Sequence, residues 1–515
     1  MKKSIRRALA ALIGVTILAT SGCGAKEEAP AENNDAAVET EGSAEPLRIA
    51  VNSEPDNLNP MLSAASDTGG IMANVYEGLL TYDTDGNFLP CLATGLPEVM
   101  DDGLSYKFTL KEGINFHTGE EMTSADVKYT YDTIAGLSGS EPLSKTFGDL
   151  FAAVEAPDAT TVIFRLKHLD AGFLTRCVIP VQQKDYPDDA TKPNGTGPYK
   201  FVEYIPGQKL ILEAYPEYHT CEDRIPEVKN VEFRVMTDNN AILMALKSGG
   251  LDIAQLDPAN VDVLGEDFEV VEGLSNAVQL VALNNTVAPL DDVRVRQAMN
   301  YAVNKEEIIN TVTKGHGARV DSFLSPRMQF FFNDEMTVYE QDLEKAKSLL
   351  TEAGYPDGFE ITVTVPSNYQ VHVDAAQVLK HQLEQVGIIL DIELVEWAQW
   401  LENVYKKADY EMSIVGHTGK LDAQDFLNRF QSTYGKNYFK YNNPEYDELI
   451  VAAASTTDQN ARAEYYKECQ QMLVDDAAAI YIQDPYLIYA VSTKYENMLI
   501  YPVTFYDMGS VRYAK

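Results

Sequence analysis

Residues 359–394 read FEITVTVPSNYQVHVDAAQVLKHQLEQVGIILDIEL. Phe359–Val365 has the β-branched, apolar composition of a strand. Val378, Leu379, Leu383 and Val386 then recur at helical spacing, and Gly387 offers a stop. A second strand follows, with Ile388, Leu390, Ile392 and Leu394 expected on one face. Strand, helix, strand in this order is a βαβ unit, whose strands pair in parallel. The fold class is therefore α/β. Such a lobe gathers loops and helix N-termini at one sheet edge, where ligands tend to bind.

Working outward, Leu343, Ala346, Leu349, Leu350 and Ala353 form another apolar stripe, ended by Gly354 and the turn Pro356-Asp357-Gly358. Asp291 or Asp292 can cap a helix carrying Val295, Met299, Ala302 and Val303. The first half has a different rhythm. Leu104, Tyr106, Phe108 and Leu110 alternate with polar residues, as do Val162, Phe164 and Leu166. Thr123-Ser124-Ala125-Asp126 can open a helix, and Leu47–Val51 reads as a first buried strand. Asp83-Thr84-Asp85-Gly86-Asn87 lacks the glycine and glutamate spacing of a calcium loop and reads as a hairpin turn.

The N-terminal end reads as targeting. Lys2, Lys3, Arg6 and Arg7 precede an apolar run, Ala8–Ala19, too short to span a bilayer comfortably. Small residues Thr20-Ser21-Gly22 then lead to Cys23, which resembles the bacterial lipoprotein box apart from Thr20, where Leu or Val is usual. Residues 1–22 are thus expected to be a signal peptide and Cys23 a lipidated residue, anchored stably by two acyl chains. Residues 24–46 hold seven acids, one lysine and a single large apolar residue, Val38. That stretch cannot offset its ordering entropy, so residues 23–46 are expected to form a disordered tether.

Four of the 41 basic residues and none of the 78 acidic ones fall in residues 1–22. The remainder carries 37 basic residues against 78 acidic ones, a net charge of −41. This excludes a nucleic-acid partner, which needs basic stripes. The five cysteines, at 23, 91, 177, 221 and 469, show no C-x-x-C and no zinc framework, and the seven histidines no pair at i+3 or i+4. No cofactor is expected. The body of about 470 residues exceeds one ordinary core, so at least two lobes are expected.

Seven stretches, in order, resemble one family: SEPDNLNP (53–60), VYEGLLTYDTDGNFLPCLAT (75–94), LSYKFTLKEGINFHTGEEMTSADVKYTYD (104–132), GTGPYKF (195–201), NNTVAPLDDVRVRQAMNYAVNKEEII (284–309), YEQDLEKAKSLLTEAGYPDGFE (339–360) and GIILDIELVEWAQWL (387–401). The chain is similar to the family 5 substrate-binding proteins of peptide and nickel ABC importers. The resemblance implies a two-lobed, periplasmic-binding-protein-like (Venus flytrap) fold with an enlarged first lobe. It places lobe one at 47–282 plus the tail 488–515, and lobe two at 283–487. The crossings are expected near Val281–Asn284 and Ile480–Tyr489. It implies a monomer that captures a small solute, foremost an oligopeptide or dipeptide. Hinge closure buries the ligand for delivery to permease subunits with their ATPases. The chain would be extracytoplasmic, touching the membrane only through its lipid anchor.

The resemblance also nominates ligand contacts. Trp397 stands where the family has a cleft tryptophan, with Trp400 the alternative. In Gly416-His417-Thr418-Gly419-Lys420-Leu421-Asp422, the peptide-binding relatives have an aromatic residue at His417. At Lys420 they have an aspartate that holds the peptide ammonium. A lysine there repels an ammonium. Either the amine clamp is absent, or Asp422 supplies it, or the ligand offers an anion to Lys420; a solvent-facing Lys420 is a further reading. Ser53, Glu54 and Asn57 lie in the loop after the first strand, Asn284 and Asn285 at the expected crossing, and Arg327 in Ser325-Pro326-Arg327 as a candidate for a carboxylate. Gly195, Gly197 and Pro198 read as turn geometry.

The rival classes are the same fold binding a sugar or a nickel chelate, a ligand sensor or chaperone, and a secreted hydrolase. No G-x-S-x-G elbow and no H-E-x-x-H occurs, so no enzyme is expected.

Overall fold

The computed structural model describes residues 45–187 and 189–515. The signal peptide, Cys23 and nearly all of the acidic tether read from the sequence lie outside the described residues.

The capping signals produce the helices read from them. Thr123 and Asp126 form a reciprocal capping box at the start of Ser124–Ala135, and Gly136 ends it at φ 70°. Asp292 accepts from the Arg294 amide at the head of Val293–Ala302. Asp342 does the same for Lys345 ahead of Leu343–Glu352. Each such cap contributes about 1 kcal/mol.

A twelve-stranded sheet runs through both lobes. Its lobe-two end holds the βαβ unit: Phe359–Pro366 pairs in parallel with Ile388–Val395, with Gln370–Glu384 between them. Ile388 and Leu390 are buried as the alternation requires, but Leu394 is exposed and Val395 turns inward instead. There the chain bends into the helix at Trp397, and Val395 joins the cluster containing Trp400 and Val404.

The other end of the sheet belongs to lobe one. Leu47–Val51 lies between Ile253–Gln255 and Asn230–Val235, followed outward by Lys209–Ala214 and Tyr199–Ile205. Lobe one also carries a four-stranded antiparallel sheet built from Glu98–Met100, Ser105–Thr109, Thr161–Leu166 and Phe151–Asp158. Tyr131, on the helix Ser124–Ala135, meets Phe164 and Phe151 of that sheet edge-on. Burying each of these rings contributes about 2–3 kcal/mol.

One strand joins the two ends. Within Ala479–Ser492, residues 479–483 pair with Val278–Leu283 of lobe two, and residues 486–492 pair with Phe268–Leu274 of lobe one. The chain therefore first crosses at 275–277, between these paired strands. This is earlier than the expected Val281–Asn284, which instead lies inside lobe two with Val278–Leu283 fully buried. The motif at 284 gave no sign of the crossing because the strand before it already belongs to lobe two.

The two crossings are fastened by Asp484. Its buried carboxylate accepts from the Ser275 amide (3.1 Å) and hydroxyl (2.6 Å), the Ala277 amide (3.2 Å) and the Ser325 hydroxyl (2.5 Å). Burial raises this carboxyl above its usual value, while these donors pull it back.

Candidate functional site

A cleft of about 630 Å³ opens between the lobes. Its lobe-one wall comprises the hairpin turn Asp85–Phe88, Leu96, the segment 171–174 and Pro502. The hairpin is held from within: Asp83 accepts from the Asp85 and Asn87 amides at 2.9 Å each, and Gly86 takes φ 85°. Residues 327–331 and 420–422, with Gln459 and Arg462, form the lobe-two wall. Leu96 and Phe330 are 57% and 50% exposed, so each wall offers apolar surface that a ligand would cover.

The charges of the lobe-two wall differ in their freedom. Asp422 forms a bidentate pair with Arg462, both contacts at 2.7 Å, and both side chains are buried. The guanidinium also lies over Tyr466 at 5.2 Å and Phe331 at 5.5 Å, and Asp422 lifts it above its usual value against burial. Lys420, two residues away, is exposed on the cleft and has no ion-pair partner among the described residues. Arg327 donates to the Ile500 carbonyl at 2.5 Å, while its Nε is buried without a partner. Burial lowers this guanidinium, against Asp85, Asp484 and Asp83.

Asn276, buried behind the cleft wall, ties two of its lining segments together. Its backbone takes φ 57°, and its side-chain amide donates to the carbonyls of Lys420 (2.8 Å) and Pro502 (3.1 Å), one from each lobe. Gly419 packs against the same point: a Cβ there would sit 2.3 Å from the Pro502 carbonyl oxygen and 2.8 Å from that of Asn276. Only glycine lets the Lys420 loop lie this close.

Residues 87–438 match the family model described as bacterial extracellular solute-binding proteins, family 5 middle. The chain belongs to this family. Among its relatives, the oligopeptide-binding protein AppA of Bacillus subtilis is 26% identical over 97% of each chain. Heme-binding protein A of Haemophilus influenzae is 30% identical over 78% of this chain and 80% of its own. Among solved structures, the ABC transporter substrate-binding protein CtaP of Listeria monocytogenes superposes with a TM-score of 0.82. It is 26% identical, covering 92% of this chain and 99% of its own.

The nominated residues separate into two groups. Arg327, Lys420 and Asp422 line the cleft. The remaining seven do not. Trp397 stacks parallel on Trp400 at 5.0 Å, with Tyr369 against its edge. Trp400 is buried and donates to the Ser413 hydroxyl at 2.9 Å. His417 lies under the surface, 2.8 Å from the Tyr438 hydroxyl and edge-on to Phe323. Burial holds its imidazole well below the usual value, so it is neutral.

Asn284 donates to the Ala408 and Tyr410 carbonyls, and Asn285 to those of Leu283, Phe439 and Ala478. Both amides tie strand ends and loops together inside lobe two. Ser53 donates to Asp67 at 2.6 Å, Glu54 accepts from Tyr204 and the Gly207 amide, and Asn57 accepts from the Asn59 amide. The Asn57 bond stays within its own loop, whereas Ser53 and Glu54 tie that loop to the helix Ser66–Met72 and to the hairpin at 204–207. The Asp85 hairpin, Phe330, Phe331 and Arg462 were not read from the sequence as cleft residues. The hairpin turn was legible, but not that it faces the other lobe. Among the described residues, no helix is long and apolar enough to cross a membrane.

Proposed function

We propose that this chain is the ligand-capturing component of an ABC importer and that its ligand is a peptide held between the two lobes. The cleft carries the reading: two apolar walls on different lobes, with a free cation on one of them. Relatives named for oligopeptide and dipeptide binding support the ligand class. Apolar walls accept varied side chains, and polar groups fix the ends. Lys420 takes the peptide's carboxylate or another anionic group, and Arg327 lines the same wall. Asp422 is committed to Arg462 and does not serve as the ammonium clamp. Asp85, exposed on the opposite wall, is the carboxylate available to an ammonium.

Ligand binding favours the closed lobes, and the permease with its ATPases receives that form. The body works as a monomer, tethered through a lipidated Cys23, and performs no catalysis. Native mass spectrometry of the protein purified from its host tests the ligand class. A bound peptide is expected; a bound sugar or nickel chelate, or turnover of added peptides, contradicts the reading. A heme ligand, suggested by the Haemophilus relative, would give a Soret band instead.

A further inference from the structure

Cys91 directly follows the strand Phe88–Pro90 that closes the cleft hairpin, and Cys221 opens the short turn Glu222–Arg224. Their positions, 130 residues apart, gave no framework in the sequence, yet the two sulfurs lie 3.7 Å apart. That is contact distance, and modest side-chain rotation brings two such sulfurs within bonding range. The site lies apart from the cleft lining.

Glu77 is the third group present: its carboxylate and the two sulfurs lie within 4.8 Å of one another. It is already engaged, accepting from the Tyr218 hydroxyl at 2.8 Å and the Thr196 hydroxyl at 3.0 Å, with Arg224 at 3.8 Å. With Glu77 committed, a soft metal ion would find two sulfurs and too few further ligands. Two touching thiols in a protein of an extracellular family suit oxidation better.

We propose that Cys91 and Cys221 form a disulfide in the exported protein. Cys221 is the more accessible, whereas Cys91 is buried. The contact with Cys91 lowers the Cys221 thiol below its usual value, and the same contact together with burial raises Cys91. Cys221 is thus the attacking thiolate. It attacks one sulfur of an extracytoplasmic disulfide donor, R–S–S–R. The donor's S–S bond breaks, and one RS⁻ leaves and takes up a proton. Cys91, deprotonated in turn, attacks the Cys221 sulfur of the mixed disulfide and expels the second RS⁻. Two cysteine thiols are oxidised and the donor is reduced to two thiols.

The bond staples the base of the cleft hairpin to the segment carrying Arg224. Arg224 is itself tied to Asp507 of the C-terminal tail at 3.0 Å. The lobe-one wall would then be cross-linked to the body of its lobe. The enclosed loop is long, the case in which a cross-link most restricts the unfolded chain.

The test is to export the full chain, purify it without reductant, alkylate it in denaturant and map its peptides. The expected result is one cross-linked pair containing Cys91 and Cys221, with Cys177 and Cys469 alkylated. Reduction should split the pair and lower Tm by about 5 °C. Cys221→Ser should show the lower Tm with or without reductant. Alkylation of all four cysteines in the unreduced protein overturns the proposal. So does stoichiometric zinc retained in native mass spectrometry with both thiols free. The peptide map decides the matter even if the variant fails to fold.

Discussion

The two walls of the cleft are held in place by different forces. The lobe-one wall is a short hairpin whose turn is shaped by backbone amides on Asp83 and a left-handed glycine. The lobe-two wall hangs on a buried ion pair, Asp422–Arg462, whose guanidinium lies against Phe331 and Tyr466. The first is a local structure that its own residues specify. The second draws its partners from 40 residues apart in the chain. The contrast also separates the charges: Asp422 is an anchor, whereas Lys420, two residues earlier, is free to meet a ligand.

The difference between the walls should show most severely at the anchor. Arg462→Ala leaves Asp422 buried and uncompensated, and should destabilise the fold by about 3–5 kcal/mol. Denaturant melts should show it, with the lobe-two wall lost first in hydrogen exchange.

Acid should strike both lobes. His117 in lobe one and His372 in lobe two are pushed down to about 4 by burial. An unfolded histidine titrates near 6.5, so below that pH the unfolded chain binds protons that the folded chain refuses. The stability each neutral ring contributes is complete above about 6.5. It is lost, at about 1.4 kcal/mol per pH unit, as the pH falls toward 4. Replacing His372 by Asn should flatten the pH dependence of the melt between 6.5 and 5; an unchanged slope would show that this histidine does not drive the acid sensitivity.

Smaller effects sharpen the assignment of charges. Lys420→Asp should leave stability nearly unchanged and shift preference toward free-amine peptides by about two- to fivefold. Identical binding profiles would mean that Lys420 does not touch the ligand. Smallest of all, Asn57→Ala should change stability by about 1 kcal/mol or less and ligand affinity not at all, because its bond stays within its own loop.

What the sequence disclosed follows the same division. Caps, turns and the βαβ unit were legible because their residues act within a few positions of one another: Thr123 with Asp126, Asp342 with Lys345, Asp83 with Asn87. The cleft was legible only at Arg327, Lys420 and Asp422. Asn284 and Asn285 looked like amides free to hold a ligand, and only the folded chain brings backbone carbonyls to them. His417 stood where an aromatic residue was expected to face the ligand, but Tyr438 and Phe323 enclose it. The pairs Asp422–Arg462, Asp484–Ser275 and Cys91–Cys221 join distant segments, so spacing could not announce them.

If one ligand touches both walls, binding must protect both at once. Hydrogen exchange, measured with and without the peptide found by native mass spectrometry, reads this out directly. Amides in 85–88, 171–174, 327–331 and 420–422 should slow together on binding. Protection confined to the Trp397 helix and the Ser53–Asn57 loop, with both walls unchanged, would contradict a ligand held between the walls.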